Sequence, residues 1–161
     1  MPSMIHSTGA GAIVQAFIDA QATQDPDLAR PYLHPDIVFE NVPFPPGRET
    51  RGSDAVYASM CTWMRASTRV QWTIHRQLVD GAVVLHERTD EFWYEPGLFP
   101  GGDYCAFRVA AAFEVRDGRI ALWRDYYDLA TIPNSLGVEL PEYSRIKQAY
   151  LTSRAEDGSH R

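Results

Sequence analysis

The feature that most constrains the fold is a change of hydrophobic period partway along the chain. Up to Ala66 the apolar residues recur mainly every three or four positions, apart from one short alternating stretch, and from Val70 to about Leu129 they recur mainly at every second position. A period near 3.6 marks a half-buried helix and a period of two a half-buried strand, so helices come first and a sheet follows. Over residues 12–21, Ile13, Phe17 and Ala20 with Val14, Ile18 and Gln21 form one stripe of an amphipathic helix. Asp25-Pro26 sets an acceptor side chain before a proline at the first helical position, which opens a short helix over residues 26–32 that ends before His34-Pro35. Residues 37–42 alternate as a strand and stop at Pro43-Phe44-Pro45-Pro46-Gly47, where prolines belong to a loop or an edge. Ser53 is placed to cap a third helix over residues 54–66, with Val56, Tyr57, Met60, Trp63 and Met64 at helical spacing.

In the second half two Asp-Gly pairs, Asp80-Gly81 and Asp117-Gly118, read as tight hairpin turns. Val70, Trp72, Ile74 and Leu78 alternate with Gln71, Thr73 and Gln77 before the first turn, which leads into residues 82–94. A loop rich in Gly and Pro follows. Phe107, Val109, Ala111, Phe113 and Val115 then share one strand face, and the second turn leads into residues 119–129. Four strands therefore run as an antiparallel meander. The tail carries Pro133, Gly137 and Pro141, then a helical stretch over residues 142–151. The expectation is a single α+β domain over residues 1–161, with a compact core at about 11–151 and flexible ends at 1–8 and 152–161. Its N-terminal helices pack around a deep apolar pocket on a strongly curved, mostly antiparallel sheet.

Composition narrows the partners. Fifteen basic against 21 acidic residues give a net charge of −6, and the basic residues are scattered singly, so nucleic acid is not an expected partner. No apolar run is long enough to span a membrane, and the start Met1-Pro2-Ser3-Met4 lacks a basic stretch before an apolar one, so the chain is expected in the cytoplasm. Cys61 and Cys105 are too few for a disulfide framework and read as apolar fillers. The five histidines have no metal-ligand spacing with each other or with cysteine, and neither a metal nor a cofactor is expected.

The period of two also says which polar residues face inward. Val84, His86, Arg88, Asp90, Phe92 and Tyr94 share one face; Ala121, Trp123, Asp125, Tyr127 and Leu129 share another; Ile37, Phe39 and Asn41 a third. One arginine, two carboxylates and one amide thus lie among aromatics, where burial without partners costs several kcal/mol, so they should meet. An arginine fork between two carboxylates fixes both. Desolvation and mutual repulsion then favour a single shared proton, leaving one acid and one base. That arrangement suits simultaneous proton donation and abstraction. Simpler readings exist for each residue: Arg88 and Asp90 pairing with Glu114 or Arg108 on a wet face, Asp125 with Arg124 or Arg119, Asn41 closing a turn, His86 as a hydrogen-bonded core histidine. Phe39, Phe44, Met60, Met64, Phe92, Phe107, Val109 and Tyr127 are the candidate substrate-binding wall.

His86-Glu87-Arg88-Thr89-Asp90 and Trp123-Arg124-Asp125-Tyr126-Tyr127-Asp128 resemble two signature segments of the limonene-1,2-epoxide hydrolases, and Phe39-Glu40-Asn41-Val42-Pro43-Phe44-Pro45-Pro46 resembles a third. Their order and approximate spacing agree over roughly residues 13–128. The resemblance implies an NTF2-like, SnoaL-like cone, a homodimer, and hydrolysis of an apolar, cyclic epoxide to a vicinal diol by one-step attack of water. It makes Asp90 the acid on the epoxide oxygen, Asp125 the base on the water, Arg88 the bridge and Asn41 a holder of the water, without metal or covalent intermediate. The nucleophile elbow of the α/β-hydrolases is absent, in keeping with this. One position departs: the family tyrosine that also orients the water is Phe39 here. Two other readings keep the fold, a cyclase or isomerase acting on a polyketide, terpenoid or steroid-like ligand, and a non-catalytic ligand-binding module.

Overall fold

A computed structural model describes residues 9–158. Helix α1 (Ala10–Ala22) is followed by the short α2 (Pro26–Ala29), whose Asp25 side chain caps the Asp27 amide, and by a 3-10 turn over Arg30–Tyr32. Strand β1 (Leu33–Asn41) leads through the proline-rich loop to a two-residue strand β2 (Thr50–Arg51) and helix α3 (Ser53–Ala66). The meander is β3 (Arg69–Asp80), β4 (Val83–Trp93), β5 (Tyr104–Arg116) and β6 (Arg119–Tyr126), and α4 (Thr131–Ser135) and α5 (Leu140–Glu156) complete the chain. No helix among the described residues is long and apolar enough to cross a membrane.

The six strands form one sheet in the order β2-β1-β6-β5-β4-β3. All neighbours are antiparallel except β1 and β6, which run parallel and set Asn41 opposite Asp125. The second Asp-Gly turn closes as the sequence indicates, with Asp117 at φ 53° and Gly118 at φ 71°, and only residues that tolerate positive φ can form so short a connection. The helices cover one face of the sheet. Phe17 of α1 stands edge-on to Trp123 with ring centroids 5.2 Å apart, and Val14, Ile18, Val56 and Met60 fill the layer between. A second, smaller cluster forms where Tyr94, Phe99 and Cys105 meet Ile132 of α4 and Leu136 just after it. There Gly101 and Gly137 touch back to back, with the Gly101 amide donating to the Leu136 carbonyl at 2.9 Å; a Cβ on Gly101 would lie 2.5 Å from the Gly137 nitrogen. This contact holds the chain that leads into α5 against the end of the sheet.

Four expectations are corrected. Ser53 is the first residue of α3 and not its cap: Gly52, at φ 88°, takes the capping position without a side-chain bond, its amide donating to the Ile37 carbonyl. A bulge at His75 breaks the alternation of β3, so Gln77 turns inward and bonds the Gly11 carbonyl while Leu78 is 71% exposed. A second bulge between Glu114 and Val115 puts fully buried Ile120, rather than Ala121, on the inner face of β6. The polar tail is helical as far as Glu156, since its arginine, glutamate and alanine are good helix formers whatever their polarity. The expectation for residues 1–8 lies outside the described residues, as does that for 159–161.

Candidate active site

Strand β4 sends His86, Arg88 and Asp90 to the helix-covered face because they are two residues apart, and β6 sends Trp123 and Asp125 there for the same reason. All five are buried. Arg88 Nε donates to Asp90 Oδ1 at 2.6 Å and its Nη2 to Asp90 Oδ2 at 2.9 Å, closing a two-pronged pair. The same guanidinium reaches Asp125, Nη2 to Oδ2 at 2.7 Å and Nη1 to Oδ1 at 3.1 Å. Its remaining direction is taken by His86 Nε2, 3.1 Å from Nη1, and its face lies 4.7 Å from the centre of the Trp72 ring. A planar fork with five donors is the side chain suited to this task, since a lysine, with three donors on one nitrogen, could not make two bonds to each carboxylate.

The two carboxylates are held differently. Asp125 accepts three bonds, two from Arg88 and one from Trp123 Nε1 at 2.9 Å, which leaves one of its four lone-pair directions open. Asp90 accepts two, both from Arg88, and retains an oxygen position that can carry a proton. Burial pushes the Asp90 carboxyl up to about 6; Arg88 opposes this and the charge of Asp125 adds to it. With one proton on Asp90, the Asp90–Arg88–Asp125 cluster is electrically neutral, which is the state burial favours. His86 is lowered to about 3 by burial and then by the adjacent guanidinium, so it is the neutral acceptor in its contact with Arg88.

Both carboxylates open onto a cavity of about 400 Å³, within the range of small-molecule sites. Asn41 lines it beside Asp125, carried there by the parallel β1–β6 pairing, and the Val42 amide donates to the Asp125 carbonyl at 2.9 Å. Of the expected wall, Phe39, Phe44, Phe92, Phe107 and Tyr127 line the cavity. Met60, Met64 and Val109 do not: they are buried in the core behind it, because helical and strand periods mark the buried face without marking where a void lies. Phe39 stacks on Trp123 with centroids 4.0 Å apart and presents a hydrocarbon edge where a tyrosine would present a hydroxyl. Tyr127 retains its proton, its hydroxyl raised by burial first and then by Asp125.

The simpler pairings are not the ones adopted. Arg124 binds Glu40 at 2.6 Å on the other side of β6, which leaves Asp125 to Arg88. Period and composition did not single out Trp72, whose ring covers Arg88, or the donor role of Trp123. Nor did they reveal that Leu140, Tyr143, Ser144 and Lys147 of α5 border the cavity; their spacing of three, four and seven along a helix was the available signal.

Comparison with known proteins gives the family and the fold. Residues 8–136 match the model of the limonene-1,2-epoxide hydrolase catalytic domain. The epoxide hydrolase EphG of Mycobacterium tuberculosis is 40% identical over 116 residues, covering 72% of this chain and 71% of that protein. A solved structure of an M. tuberculosis LEH-like epoxide hydrolase superposes with a TM-score of 0.65 at 36% identity, covering 79% of this chain and 88% of the other. A SnoaL-like polyketide cyclase from Jannaschia sp. CCS1, at 16% identity and a TM-score of 0.69 over 86% of this chain and 98% of that one, shares the fold. With a family model matching most of its length and the fold of its solved relative, the chain belongs to the limonene-1,2-epoxide hydrolase family.

Proposed function

We propose that this epoxide hydrolase opens an apolar, cyclic epoxide to a vicinal diol in one step, with Asp125 as base and Asp90 as acid. The observation that carries the reading is the single guanidinium of Arg88 bridging two buried carboxylates that both face an aromatic-walled cavity. A water held between Asn41 and the open lone pair of Asp125 gives its proton to Asp125 as its oxygen bonds to an epoxide carbon. The C–O bond on that carbon breaks, and the Asp90 proton passes to the departing oxygen. Asp90 ends charged and Asp125 neutral; transfer of one proton between them through water restores the site. Arg88 stays charged throughout and holds the two groups at fixed separation, so little reorganisation accompanies the reaction. The substrate meets the carboxylates and the aromatic wall. The step uses side chains and water alone.

Phe39 removes one hydroxyl from the water's surroundings and leaves its orientation to Asp125 and Asn41. Product formation from a panel of apolar cyclic epoxides tests the reading. Wild-type protein should give diol, and Asp90→Asn and Asp125→Asn should each lower kcat by about a hundredfold or more while retaining the wild-type circular dichroism spectrum. Full activity in both folded variants would refute the assignment.

A further inference from the structure

Helix α5 lies beyond residues 8–136, the part shared with the family, yet one stripe of it, Leu140, Tyr143, Ser144 and Lys147, closes the mouth of the cavity. Lys147 is the sole lysine among 15 basic residues. It is half-buried, has no carboxylate within ion-pair distance among the described residues, and its ammonium rests 4.9 Å from the centre of the Tyr143 ring. Other basic side chains near the helix surface behave differently: Arg145, two residues earlier, is paired with Glu142 and faces away from the cavity. An unpaired cation on the rim of an apolar cavity, opposite a floor whose charges cancel, is a receptor for an anion carried on an otherwise apolar molecule.

We propose that Lys147 is a specificity residue that pairs with a carboxylate on the substrate, at the end remote from the reacting epoxide. This rests on the epoxide reading of the floor and names the substrate class: an apolar epoxide acid rather than a purely hydrocarbon epoxide. One ammonium fits a single negative charge. The aromatic wall takes the hydrocarbon, and the contact at the rim fixes which end of the molecule enters first, so the epoxide arrives at Asp90 and Asp125.

The test uses two apolar epoxides of the same carbon skeleton, one ending in a carboxylate and the other in its methyl ester, with wild type, Lys147→Met and Lys147→Arg. Wild type should show kcat/KM for the acid at least about fivefold above that for the ester, carried by KM. Lys147→Met should bring that ratio to about one, and Lys147→Arg, which keeps the charge, should preserve the preference. An equal ratio in wild type and Lys147→Met overturns the proposal while hydrolysis of both epoxides leaves the reading of the floor intact. If neither epoxide yields diol, the floor reading fails and Lys147 is still tested. The saturated acid of the same skeleton, titrated against the fluorescence of the cavity tryptophans, should bind wild type at least about fivefold more tightly than Lys147→Met. Equal binding again overturns the proposal.

Discussion

The floor and the mouth of the cavity are built on different terms. At the floor every charged group sits on a strand, is buried, and has its partners: Arg88 serves Asp90, Asp125 and His86, and Trp123 completes Asp125. At the mouth the groups sit on α5, a helix without a fully buried residue, joined to the sheet through the Gly101–Gly137 contact and α4. A sheet fixes positions to within a fraction of an ångström through its ladder, so it suits proton transfer. A surface helix is held by fewer contacts and can change without disturbing the ladder, so it suits selection among substrates. With the proposed roles, chemistry is assigned to the floor and choice of substrate to the mouth, and the two should fail in different ways when altered.

The largest effect should come from Arg88→Met. Removing the fork leaves two carboxylates buried without a counter-charge, and unfolding stability at neutral pH should fall by about 3–5 kcal/mol in chemical denaturation, together with loss of turnover. Stability within experimental error of wild type would mean that the cluster is wetter than its burial indicates.

The pH profile comes next. Asp90 is raised above its ordinary value to about 6, so it holds its proton below that pH and releases it as the pH rises through it. As the acid must be protonated, kcat/KM should decline about tenfold per unit above pH 6. A profile flat from pH 5 to 8 would separate Asp90 from the proton that reaches the epoxide oxygen. The raised value carries a second consequence, since the folded state binds this proton more tightly than the unfolded one: Asp90's contribution to stability is present below pH 4 and lost as the pH rises through about 6.

A smaller change sharpens the contrast within the floor. Trp123→Phe keeps an aromatic ring against Phe39 and Phe17 but removes the donor to Asp125 Oδ1, and should cost about 1.5–3 kcal/mol of stability with a reduced kcat. The smallest effect belongs to the mouth's outer side. Arg145→Gln breaks an exposed pair with Glu142, and should change stability by less than about 0.5 kcal/mol, with kcat unaltered. A loss as large as that of Trp123→Phe would show that α5 is tied to the fold more tightly than its surface contacts imply.

Much of this was legible in the sequence because it depends on local periodicity. The switch from helical to strand spacing located α1, α3 and the meander, and spacing of two put Arg88 with Asp90 and Trp123 with Asp125 on inner faces. What eluded the sequence is non-local or subtractive. The parallel β1–β6 pairing that sets Asn41 beside Asp125 joins strands some 80 residues apart, which no periodicity reports. Bulges at His75 and near Val115 reverse the parity that assigned Leu78 and Ala121 inward. Met60, Met64 and Val109 were assigned to the wall because a buried stripe looks the same against a core as against a void. The stripe of α5 at the mouth lies largely within the stretch read as helical, but a mostly polar helix carries no local sign of which surface it covers.

In the proposed reaction, water activated by Asp125 attacks the epoxide directly while Asp90 supplies the proton. Single-turnover hydrolysis in oxygen-18 water, with protein in excess over a cyclic epoxide, tests it in one measurement. Diol carrying one labelled oxygen from the first turnover is the predicted result. Unlabelled diol, with the heavy oxygen left on a carboxylate of the protein, would mean that a carboxylate oxygen had attacked first, and would contradict the account.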